Sequence, residues 1–142
     1  MSNLKLRSPA ARVGDLVFFG RMVDKIRAQA QGELPADYHA NLGKGFDEAC
    51  VTFLGVVYAD VVAIVNRGMD DADALGWCRE HGTPRTPNEC FIWNEFLRKR
   101  GWNDDLTPTL ERRKRERGFT ERADLQTMFQ FIDADEGRPT SA

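Results

Sequence analysis

The densest cluster of chemistry-bearing residues in the chain is Arg21-Met22-Val23-Asp24-Lys25-Ile26-Arg27-Ala28. A helix turns about 100° per residue, so Arg21, Asp24, Lys25 and Ala28 share one face, opposite Met22, Ile26 and Ala30. Arg27 falls at the edge of the apolar stripe. Two readings of the polar face stay open. It is a solvated surface with local ion pairs, or it is an anion site. In the second reading Arg21 grips a carboxylate or phosphate with its planar fork, and Lys25 and Arg27 add positive charge.

A second group follows the first helix. Asp37-Tyr38-His39 includes one of only two histidines. An imidazole titrates near neutral pH and can move a proton. Tyr38 can donate to developing negative charge, and Asp37 can orient the ring. With Asp24 as a nearby carboxylate, His39, Tyr38 and Asp24 are the catalytic candidates. The competing reading is an ordinary turn. Trp93-Asn94 lies further on, and Asn in mid-helix is either a surface placement or a specific hydrogen bond. Trp93 and Asn94 join Arg21, Lys25 and Arg27 as candidate substrate contacts.

Cys78 and His81 are spaced to meet on one helix, as a thiolate–imidazolium pair or part of a zinc site. Nothing in the spacing of Cys50 or Cys90 brings a further ligand to them, so neither a metal nor another cofactor is expected. The basic segment Arg98–Arg117 reads as a solvated surface, a dock for an acidic partner, or a nucleic-acid contact. No aromatic residues alternate with its cations and no nucleic-acid motif accompanies it, which makes the third reading the weakest.

Helices must position these groups. Phe19, Met22, Val23, Ile26 and Ala30 predict a first helix ending at Gly32. Phe46–Leu54 predicts a second, stopped by Gly55. Val56–Val65 is Val-rich like a strand, yet Tyr58, Val61, Val62 and Val65 recur at helical spacing, and the helical reading is preferred. Asp70 or Asp71 caps a helix reaching toward Gly82. Thr86-Pro87-Asn88-Glu89 has the form of a capping box with proline at the first helical position. Thr107-Pro108 opens another helix, and Thr120 opens a last one through Leu125, Met128, Phe129 and Ile132. The expected architecture is an all-α, compact orthogonal bundle of about six or seven short helices. It comprises an arm over residues 1–14, one helical domain over 15–133 and a frayed tail over 134–142.

Composition narrows the functional classes. The 142 residues are 42% hydrophobic and carry a net charge of −2, which excludes an intrinsically disordered chain. A pI near 5.7 argues against a general nucleic-acid binder. No apolar run reaches the roughly 18 residues a membrane span needs. Three cysteines without a CxxC pair read as reduced thiols. With no signal peptide in evidence, the expected compartment is the cytoplasm.

The order of several motifs carries a family likeness. Arg7-Ser8-Pro9, Gly14, Arg21 to Ala28, Tyr38-His39, Phe53-Leu54-Gly55, Trp77, Arg85-Thr86-Pro87 with Glu89, and Trp93-Asn94 together resemble an uncharacterised bacterial family catalogued as a domain of unknown function. The resemblance brings no activity or cofactor. It adds weight to Arg21, Asp24, Lys25, Arg27, Tyr38, His39 and Asn94 as a set. The leading expectation is a binder of, or enzyme acting on, a small anionic metabolite. Its enzymatic form is cofactor-independent proton transfer of isomerase or lyase type. A domain this small supplies few walls, so a homodimer is expected. The alternatives are a protein-interaction module and nucleic-acid binding, both through Arg98–Arg117.

Overall fold

The computed structural model describes residues 5–140. A two-residue hairpin, β1 (Arg12–Val13) and β2 (Leu16–Val17), precedes the helices, with Val13 opposite Leu16. Seven α-helices follow among the described residues: α1 (Phe19–Ala30), α2 (Phe46–Leu54), α3 (Tyr58–Asn66), α4 (Asp71–His81), α5 (Pro87–Arg98), α6 (Thr107–Glu116) and α7 (Met128–Asp135). A 3-10 helix, Ala36–Asn41, occupies part of the loop between α1 and α2. The fold is therefore mostly α. No single helix among the described residues is long and apolar enough to cross a membrane.

The helices form where local chemistry and burial agree. Phe19, Met22, Val23 and Ile26 of α1 are buried, spaced i, i+3, i+4 and i+7 on the core side. The Val-rich segment is helical because Val61, Ile64 and Val65 are all buried on one stripe. Gly55 takes φ +71° after α2, and α3 leaves at 91° to it. At α5 the capping box forms as its residues require. Thr86 Oγ1 accepts the Glu89 N–H at 3.1 Å, and Glu89 accepts the Thr86 N–H at 2.8 Å.

Three expectations need correction. The last helix opens at Thr127, not Thr120. Thr127 and Gln130 form a second capping box, while the preceding segment is taken up by turns such as Arg122 N–H to Phe119 C=O. The hairpin was not expected, because two residues per strand are too few to show alternation. The tail is not frayed at residue 134. Arg138 holds Asp133, Glu136 and the Leu6 carbonyl, and the Thr140 hydroxyl donates to Asp124 at 3.1 Å. Residues 141 and 142 of that tail, and 1–4 of the expected arm, lie outside the described residues.

Asn94 explains how so small a hairpin persists. Its side chain is 2% exposed. Oδ1 accepts the Val17 N–H at 3.1 Å, and Nδ2 donates to the Asp15 carbonyl at 2.5 Å. The amide thus holds β2 and the turn before it, satisfying the buried Val17 N–H that would otherwise be unpaired. Asn94→Ala should lower the unfolding free energy by about 2 kcal/mol, measured by urea denaturation. A loss below about 0.5 kcal/mol would show that the hairpin does not depend on this amide.

Candidate functional site

A cleft of about 530 Å³ opens between the start of α1, the 3-10 helix, the start of α2, the end of α5, α6 and α7. Its apolar lining is aromatic and aliphatic: Phe18, Phe46, Phe131, Met128 and Ile132, with Phe96 at the edge. Phe18 is held in an unusual way. It precedes α1 with φ 69° and ψ −27°, the left-handed region, although it carries a bulky side chain. Its N–H is fixed to the Pro9 carbonyl at 2.9 Å. Its ring packs against Phe46 and Phe129 at 5.5 and 6.0 Å. Packing over-determines the strained backbone and places the ring in the cleft.

Arg21 and Lys25 line this cleft from α1, but neither belongs to a solvated face. They are 4% and 5% exposed, because the first two turns of α1 are buried on nearly every side. Arg21 makes a bidentate pair with Glu136, at 2.8 and 2.7 Å, and also donates to the Arg7 carbonyl. Tyr38 donates its hydroxyl to the same carboxylate at 2.8 Å. Arg138 completes the set at 2.6 Å. Burial alone would raise the Glu136 pKa. The hydrogen bonds and charge of Arg21, with Arg138 and Tyr38, outweigh it and hold the carboxyl below its ordinary range. Burial, reinforced by the bond to Glu136, pushes the Tyr38 phenol up to about 12. At neutral pH Tyr38 is a neutral donor committed to Glu136.

Lys25 faces a different partner. Its Nζ lies 2.9 Å from Asp47 Oδ1 and 5.4 Å from the centre of the Phe18 ring. Asp47 is fully buried, and its Oδ2 accepts the Gly43 N–H at 3.1 Å. Burial lowers the Lys25 pKa and raises that of Asp47, and their mutual attraction opposes both shifts without cancelling them.

The remaining expected residues do other work. Asp24 and Arg27 do not line the cleft. Arg7 grips Asp24 with Nε and Nη2, both at 2.9 Å, and reaches Asp71 at 2.7 Å. Arg27 also pairs with Asp71 at 2.9 Å. Arg7 can cross α1 only because residue 20 is glycine. A Cβ there would stand 2.9 Å from the guanidinium carbon. His39 is exposed, lies outside the cleft lining, and donates from Nε2 to the Leu34 carbonyl at 2.9 Å. Trp93 stacks on Phe53 at 4.8 Å, away from the cleft. His81 donates to the Trp77 carbonyl at 2.9 Å and stacks on that ring at 4.3 Å. Burial pushes the Cys78 thiol up to about 11, so this pair forms no thiolate dyad. No group of three metal-ligating side chains gathers among the described residues.

The basic segment is not one helix. Arg98 ends α5 and Arg112–Arg115 lie on α6. Arg98 and Lys99 pair with Glu95, Arg100 with Asp104 and Asp105, and Arg117 with Asp135. Lys114 is buried against the Leu125 carbonyl. Arg112, Arg113 and Arg115 have no ionic partner among the described residues, nor has Lys44, and of these Arg113 and Lys44 line the cleft.

The chain belongs to the DUF5069 family. That family's model, a domain of unknown function, matches residues 3–138. No match is found among the curated proteins. In this DUF5069 chain the polar residues behind the resemblance divide into two groups. Arg21, Lys25 and Tyr38 stand at the cleft, whereas Arg7, Asp24, Arg27 and Asn94 tie segments together. Glu136, Asp47, Arg113 and Lys44 were not anticipated. Asp47 had left a signal: with Cys50, Val51 and Leu54 it shares the buried stripe of α2, where a lone carboxylate needs a buried cation. Glu136 left none, since one acid in a short polar tail looks like any other.

Glu136 gives a pH test. Its folded pKa lies below the ordinary 4.5. Its stabilisation is therefore fully present above about pH 4.5 and is lost as the pH falls through the lowered value. Glu136→Gln should cost about 3 kcal/mol near neutrality and flatten the acid limb of stability against pH. An acid limb as steep as that of the wild type in denaturation from pH 3 to 7 would rule out this linkage.

Proposed function

We propose that the cleft binds a small amphiphilic anion, with an aromatic or aliphatic body and a carboxylate or phosphate head. The carrying observation is the pairing of unneutralised cations, Lys44 and Arg113, with an apolar lining of Phe18, Phe46 and Phe131 and with Phe96 at its edge. Arg21, expected to hold the anion, already carries the Glu136 carboxylate, so the head falls to Arg113 and Lys44. A volume of about 530 Å³ is in the range of small-molecule sites. The geometry supports binding more than proton transfer by His39 and Tyr38. His39 is outside the cleft, and Tyr38 is a poor acid whose proton is already engaged.

The three free, buried cysteines support a reducing compartment, the cytoplasm. Phe91, Ile92 and Phe96 of α5 are each about 60% exposed, and Phe96 borders the cleft. This apolar edge supports the homodimer inferred from chain length. Docking of an acidic partner through residues 98–117 has less support, because four of its eight cations are ion-paired within the chain and Lys114 is buried.

Phenyl phosphate combines the two required features. It should bind by calorimetry, and Arg113→Glu or Lys44→Glu should weaken it roughly tenfold, about 1.4 kcal/mol, without a change in melting temperature. Absence of binding by the wild-type protein, or wild-type affinity retained in both variants, would overturn the assignment.

A further inference from the structure

We propose that Lys25 is a reactive amine that condenses with the carbonyl of an oxo acid or aldehyde held in the cleft, with Asp47 as its proton partner. This rests on the reading that the cleft holds a small carboxylate or phosphate, and it names the ligand class more narrowly.

The case begins with position. The Lys25 side chain is 7% exposed and that of Asp47 is fully buried, yet Lys25 lines the cleft. Lys25 therefore belongs to the cleft wall, while the carboxylate paired with its amine is outside the lining. The other lysines lack this combination. Lys114 is buried on the Leu125 carbonyl and does not line the cleft. Lys44 lines the cleft but is exposed, and Lys5 and Lys99 are exposed and do not line it.

The pair is also poorly compensated as two charges. Asp47 Oδ1 is buried and receives no aligned hydrogen bond, although Nζ is only 2.9 Å away. A buried carboxylate is stable as an anion when several donors satisfy it. Here Oδ2 has one backbone donor and Oδ1 has only the ion pair. Arg21 beside Lys25 adds like charge against the ammonium, while Glu136 offsets part of it. Moving one proton from Nζ to Asp47 removes both charges and leaves the net charge unchanged. Burial drives both groups in that direction. The product is a neutral amine on a residue of the cleft wall and a carboxylic acid beside it, which are the two groups imine formation needs.

The step balances without a co-reactant. The Nζ lone pair attacks the carbonyl carbon while Asp47 protonates the carbonyl oxygen, giving a carbinolamine. Asp47 then takes a proton from nitrogen and returns it to the hydroxyl. Water leaves as the C=N bond forms. One amine and one carbonyl become one imine and one water, and nothing is oxidised or reduced. The anionic head of the same ligand would rest on Arg113 or Lys44.

Glyoxylate with cyanoborohydride tests this on the full-length wild-type protein, since the hydride fixes an imine as a stable secondary amine. Peptide mapping by mass spectrometry reads which of the five lysines is modified. Lys25 should be labelled at least about tenfold faster than Lys44 or Lys99, a barrier difference near 1.4 kcal/mol, and phenyl phosphate should slow it. Asp47→Asn should reduce the labelling rate, and Lys25→Arg should abolish the fast site. Labelling confined to the exposed lysines while phenyl phosphate still binds would overturn the proposal and leave the cleft assignment standing. Fast Lys25 labelling indifferent to phenyl phosphate would support the amine and overturn that assignment.

Discussion

Four charged side chains on two turns of α1 are neutralised by other segments, two of them, Arg21 and Lys25, inside the protein, and the walls around the cleft are arranged around that demand. Each finds its partner on a different segment. Asp24 takes Arg7 from the N-terminal arm, Arg21 takes Glu136 from beyond α7, Lys25 takes Asp47 from α2, and Arg27 takes Asp71 from α4. For the two buried pairs, Arg21–Glu136 and Lys25–Asp47, removing one partner costs about 3–5 kcal/mol, because the survivor is left charged and dry. Such a penalty gives specificity where apolar packing does not. A hydrophobic stripe on α1 could pack against several surfaces of similar shape, but Arg21 is satisfied only by a carboxylate in the right place.

The cleft is a by-product of the same arrangement. Glu136 is drawn onto Arg21, so the chain after α7 closes one wall. Tyr38 joins that carboxylate and brings the 3-10 helix to the rim. Asp47 is drawn onto Lys25, so the start of α2, with Phe46, forms another side. The strained Phe18 then sits where these walls meet. A neutralising tail is therefore also a structural part of the site, although no residue in it suggests a site when read alone.

This explains what was legible beforehand and what was not. Helix positions were readable because their signals are local: the Thr86 capping box, the apolar stripes of α1 and α3, and the glycine after α2. The segment before α7 was misread because Thr120 and Thr127 both offer a cap, and only Thr127 has Gln130 three residues on to answer it. Arg21 and Lys25 are prominent in the sequence as a cationic pair, and both line the cleft. Their burial was not foreseeable, since a polar face on one helix gives no sign that two other segments will cover it. Pairings separated by 22 residues, as for Lys25 and Asp47, or 115, as for Arg21 and Glu136, depend on tertiary packing. The one readable hint was Asp47 on an apolar stripe.

Arg21 and Lys25 occupy successive turns of one helix and both border the cleft, yet their chemistry differs. A guanidinium stays charged in proteins, and its planar fork matches a carboxylate with two parallel bonds. Arg21 is therefore a fixed cation whose charge is consumed in holding Glu136. An ammonium is a point charge that burial can strip of its proton. Lys25 meets one oxygen of Asp47 out of alignment, with Arg21 beside it. The first cation anchors the wall, and its field makes the second easier to deprotonate. Exchanging the two side chains would lose both properties: lysine could not form the fork on Glu136, and arginine could not become a neutral nucleophile. The division of labour on this face follows from which of the two cations is able to give up its proton.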